Sequence, residues 1–119
     1  MKRVKWDVEE AVALMHLYFD NNYKTSVDSE QIENLSKILK KRAEILGFDV
    51  DHNFRNVVGL DMQLACIHYV VTGGKEGLSN VGTLFYETYD LYLKNPKIFS
   101  RIYDEFIEKY CWFFEGMVR

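Results

Sequence analysis

A chain of 119 residues can enclose one sizeable core, and nothing in it marks a second domain or an interdomain linker. Hydrophobic residues at 48% and aromatics at 15% exclude a disordered chain. A formal charge of -3 excludes binding to nucleic acid by bulk charge alone, so any such contact needs a local basic patch.

Residues 1–6 read as a basic, extended start. Asp7 with Glu10 three residues on forms a capping box, and Trp6 before it can act as a hydrophobic staple. The first helix follows over 8–20, with Ala11, Val12, Met15, Tyr18 and Phe19 on its apolar face and His16 on the polar side. After a polar connection, Asp28 or Ser29 starts a second helix that ends at Gly47. Ile32, Leu35, Leu39, Ala43 and Leu46 form its narrow apolar stripe. Lys37, Lys40 and Lys41 lie opposite, with Glu30, Glu33 and Glu44 among them, and Glu33–Lys37 and Lys40–Glu44 have ion-pair spacing.

Residues 48–55 read as a loop, and Asn56 as the cap of a third helix over 57–71. That stretch, VVGLDMQLACIHYVV, carries one formal charge, Asp61, and is apolar on both sides. A helix of this kind must be enclosed by others. Its closing Ile67 to Thr72 is rich in β-branched residues, but a lone strand would have no pairing partner. Glycines at 73 and 74 end the helix, and Ser79 or Asn80 caps a fourth over 81–94. Asn95-Pro96 then marks a boundary, with Asn as cap and Pro at the first helical position of a fifth helix reaching about residue 115. The expected fold is an all-α, five-helix orthogonal bundle around a buried central helix at about 57–71, with 1–119 as a single domain.

Chemistry is sparse. The two cysteines, Cys66 and Cys111, sit in apolar runs and read as reduced, buried thiols. No stretch reaches the roughly 20 apolar residues that a membrane span needs, and the charged start lacks a signal-peptide core. A cytoplasmic protein without membrane contact is expected. Cys66 and His68 diverge by about 160° on a helix, a poor metal pair, and His68 reads as a satisfied core histidine. Asp51-His52-Asn53 shares letters with a metal-nuclease site but lacks the further ligands. The loop 73–80 lacks the G-x-x-x-x-G-K-[ST] phosphate signature and follows a helix, so its glycines read as a cap and turn. No metal site, cofactor or catalytic constellation is expected.

Arg55 stands out, between Phe54 and Asn56 at the start of the third helix. It can clamp a phosphate or base, or it can fasten the loop by pairing with Asp51, Asp61 or Glu76. Taken in order, Trp6-Asp7-x-Glu9-Glu10, Phe54-Arg55-Asn56, Gly59-x-x-Met62-x-Leu64, Tyr69 and the segment 73–80 carry a resemblance. Across residues 6–110 the chain resembles the helical N-terminal domain found ahead of HNH-type endonucleases and other restriction-like bacterial proteins. The resemblance implies an accessory module that helps a nuclease-type domain recognise DNA or assemble. No HNH catalytic segment is present, so nuclease activity does not carry over.

The expected nucleic-acid contacts are Arg55, Asn56, Lys75, Ser79 and Asn80, with Lys37, Lys40, Lys41 and Arg42 as an electrostatic margin. The rival expectation is a protein-interaction module, either a homo-oligomer or one that docks a C-terminal nuclease-type domain. It rests on the aromatic surplus of the last two helices and the chain end, with Tyr86, Tyr89, Trp112 and Phe114 as interface residues.

Overall fold

The computed structural model describes residues 4–111. Within them, α1 (Val8–Asp20), α2 (Ser29–Ile45), α3 (Val57–Val71), α4 (Thr83–Lys94) and α5 (Pro96–Tyr110) follow in order, with no strand among the described residues. The all-α expectation holds, and the β-branched end of α3 is helical. Asp7, Asp28 and Asn56 cap α1, α2 and α3, each accepting the amide proton three residues on at 2.9–3.1 Å. Glu10 completes the capping box by accepting from the Asp7 amide at 3.2 Å.

The last two helices begin differently from expectation. Neither Ser79 nor Asn80 caps α4. Gly82 holds that position and makes no side-chain cap bond. The reason is that Val81 packs against the core, which draws the chain inward before the helix opens. Asn95 does precede Pro96 at the start of α5, but its side chain makes no cap bond either. α5 ends at Tyr110 with Cys111 as its C-cap, short of the expected end near residue 115, and residues 112–119, Trp112 and Phe114 among them, lie outside the described residues.

The buried centre is α1, not α3. α1 packs against all four other helices, whereas α3 packs against α1, α2 and α4. Residues 10–15 and Tyr18 of α1 are at most 3% exposed. On α3, Val58 is 69% and Met62 56% exposed. Two features let α1 take the middle. Ala11 and Ala13 are small enough for neighbours to approach its backbone, and its one fully buried charge, Glu10, meets an arginine from outside the helix. The core then joins Leu14, Met15 and Tyr18 of α1 to Leu39, Leu60, Leu64, Ile67, Phe85, Phe99 and Phe106. Each such side chain contributes roughly 1.5–3 kcal/mol by leaving water.

Candidate functional site

The first turn of α1 gathers the charges that sequence spacing had dispersed. Asp7 and Glu9 converge on Arg42, while Glu10 leaves the same turn toward Arg55. Glu10 takes Arg55, whose Nε donates to Oε2 at 2.7 Å and whose second guanidinium nitrogen donates to Oε1 at 3.0 Å. The Arg55 side chain is 9% exposed and Glu10's is 2% exposed. Arg55 is further held between the rings of Trp6 and Phe54, 4.6 and 4.2 Å from their centroids. Its backbone sits at a positive φ of 49°, and its carbonyl accepts a hydrogen bond from Ser36 Oγ at 2.7 Å. Arg55 thus fastens the start of α3 to α1 and α2. Its partner is Glu10, not Asp51, Asp61 or Glu76.

Arg42 does the same for α2. It donates to Asp7 at 2.6 Å and to Glu9 at 2.9 Å, and its guanidinium lies 5.5 Å from the centre of the Tyr110 ring. Lys109 of α5 reaches Glu9 at 2.7 Å. Burial by itself would raise the Glu9 pKa, but the hydrogen bonds from Lys109 and Arg42 outweigh it and hold Glu9 below the ordinary carboxylate value. Arg42 is only 6% exposed, so it belongs to this clasp and not to a surface margin of positive charge.

The loop after α3 is also built inward. Gly73, Gly74 and Gly77 all have positive φ. A Cβ on Gly77 would collide with the Ala65 carbonyl oxygen and stand 2.7 Å from the Tyr69 nitrogen, so only glycine lets the loop lie this close to α3. The Leu78 amide donates to that same Ala65 carbonyl at 3.1 Å. His68 links core to loop: one ring nitrogen meets the Tyr18 hydroxyl at 2.7 Å and the other meets Glu76 at 2.8 Å. Burial pushes the Tyr18 hydroxyl up to about 12, so it stays protonated. His68 is a satisfied histidine, as its position on the core stripe suggested.

The expected DNA contacts therefore divide. Arg42 is buried, Arg55 is tied to Glu10 with its side chain largely covered, and Asn56 is occupied as a cap. Lys75, Ser79 and Asn80 are exposed on the loop, and Lys37 and Lys41 on α2, while Lys40 is half-buried. Lys41, rather than Lys40, approaches Glu44, at 3.9 Å. Asn56 and Lys75 lie beyond opposite ends of the 15-residue α3, roughly 20 Å apart at the rise of an α-helix, so they do not form one small site.

The aromatic residues divide as well. Tyr86 is 46% exposed. Tyr89 instead joins an internal ring cluster with Phe19, Tyr92 and Phe99, in which Phe19 and Tyr92 stack at 4.2 Å. Among the exposed apolar features that sequence reasoning missed are the end of α2, where Ile45, Leu46 and Phe48 face solvent, and the outer face of α3, with Val58 and Met62 one turn apart and Leu78 hydrogen-bonded beside the next turn. The signal was present, since α3 is apolar on more sides than its neighbours can cover.

Asp51 shapes its own turn by accepting from the Asn53 amide at 2.9 Å, and His52 is exposed. Among the described residues, no group of three or more His, Cys, Asp or Glu side chains is placed to hold a metal. No helix among them is long and apolar enough to cross a membrane. Compared with protein-family models, with curated proteins and with solved structures, the chain matches none.

Proposed function

We propose that this chain is a non-catalytic protein-interaction module that pairs with a second copy of itself along the outer face of α3. The observation that carries the reading is the exposure of Val58 at 69% and Met62 at 56% on a helix whose one charge is Asp61. Solvent-facing apolar ridges mark interaction surfaces. A face with so little charge meets its own copy without much like-charge repulsion, which favours a symmetric, self-complementary contact. Leu78 extends the ridge at the Ala65 turn.

Sedimentation equilibrium tests the reading. The wild-type chain is expected to dimerise, and Met62→Lys is expected to weaken the dimer by more than about tenfold, the loss of one buried apolar side chain. Because Met62 is exposed, the variant should keep the wild-type helical content. A wild-type chain that stays monomeric at high concentration overturns the proposal.

A second reading, a DNA-recognition accessory module of a restriction-type system, draws on the exposed Lys37 and Lys41, one turn apart on α2, and on Lys75. It would proceed without Arg55 and Arg42, through phosphate contacts whose affinity falls steeply with salt. Fluorescence anisotropy at low salt separates the two. DNA binding lost in a Lys37→Glu/Lys41→Glu variant favours this reading, and no binding rejects it.

A further inference from the structure

A cleft of ≈ 340 Å³ opens between α1, α2 and α5, away from the α3 ridge. Its volume falls in the range of about 300–1,000 Å³ typical of small-molecule sites. The half-buried Leu17 and Ile107 are among its apolar walls, over a floor that includes Leu35 and Phe106, and His16, Asp20, Asn34 and Tyr103 bring polar atoms to it. No lysine or arginine is among its lining residues. The His16 and Tyr103 rings stack face to face at 3.5 Å, with planes 1° apart, making a flat wall. Asp20 approaches His16 Nδ1 at 3.1 Å, yet its side chain remains 58% exposed, so its carboxylate is open to a second partner. Asp104 adds a further negative charge acting on His16.

We infer that this cleft binds a small amphipathic cation, with the apolar body against Leu17 and Ile107 and the charged group on Asp20. Three features support that class. The lining offers an acceptor and no cationic side chain to hold an anion. The walls supply apolar area on more than one helix. Burial lowers the His16 pKa against the opposing pull of Asp20 and Asp104, which leaves the imidazole largely neutral at pH 7 and the Asp20 charge uncancelled.

The test uses benzamidinium, benzyl alcohol and benzoate as cationic, neutral and anionic probes of similar shape, read by amide chemical shifts of the full chain. Benzamidinium is expected to give saturable shifts clustered on α1, α2 and α5 around the cleft, and benzoate none. Asp20→Asn should weaken benzamidinium binding by more than about tenfold, the scale of a hydrogen bond to a charged group. Asp20→Lys should abolish it. Asp20 is exposed, so both variants should keep the wild-type fold. Scattered or non-saturating shifts, equal binding of benzoate, or unchanged binding in Asp20→Asn would each overturn the assignment.

Discussion

The two ends of α3 are anchored by opposite means. At its start, a buried ion pair, Arg55–Glu10, joins residues 45 positions apart, roofed by Trp6 and Phe54. At its finish, glycine geometry presses a short loop onto the helix backbone through local hydrogen bonds, and His68 in the last turn adds one long-range bond to the Tyr18 hydroxyl. One end relies on charge removed from water, the other on backbone shape. The contrast shows that an arginine beside a helix start and a glycine-rich loop, both familiar features of phosphate sites, can each be occupied in holding a helix in place. What α3 leaves available lies between its ends, on the outer face where Val58 and Met62 flank its one charge, Asp61.

The largest effect should come from splitting the buried pair. Arg55→Ala leaves the Glu10 carboxylate buried without its main partner, and about 3–5 kcal/mol should be lost in urea unfolding. Replacing both members by apolar residues, Glu10→Leu with Arg55→Met, should cost clearly less than the single change. If the double variant is as unstable as Arg55→Ala, the pair is not the anchor described here.

At the other end, Gly77→Ala should cost about 2–3 kcal/mol, because the new methyl meets backbone that cannot retreat and φ is +98°. Gly73→Ala, with the same sign of φ but open space around it, should cost only about 1 kcal/mol. Thermal unfolding of the two variants side by side measures the difference. Equal losses would mean that φ alone, and not the approach to Ala65, sets the requirement.

The smallest effect concerns acid. Glu9 titrates below its ordinary value of 4.5 in the folded chain. A depressed carboxylate stabilises the fold fully above that ordinary value, and the contribution fades as pH falls through the lower, folded-state value. Stability should therefore decline below about pH 4.5, and Glu9→Gln should flatten part of that decline. An identical pH profile in Glu9→Gln would remove Glu9 from the clasp.

Helix positions were legible because their signals are local. The Asp7–Glu10 box, the Asp28 and Asn56 caps and the Asn95-Pro96 boundary each act within a few residues, and the observed helices begin at or close to those marks. Partners were not legible. Asp51, Asp61 and Glu76 are nearer to Arg55 in sequence, yet Glu10 holds it, since which helix turn faces the loop is set only when α1 and α3 pack. The cleft was invisible for the same reason, as its walls come from three helices.

The order of residues alone determined five helical segments and most, but not all, of their buried faces, because capping, helix period and proline or glycine breaks act within a turn or two, while Leu46, Val58 and Met62 face solvent against the pattern. Only the tertiary structure decided which helix is central. α1 contains charged residues and still lies innermost, because Arg55 and Arg42 arrive from elsewhere to satisfy its first turn. α3 has almost no charge and still keeps one face in water, because its neighbours cover only part of its circumference. Burial depends on what the rest of the chain brings to a surface, and periodicity cannot report that.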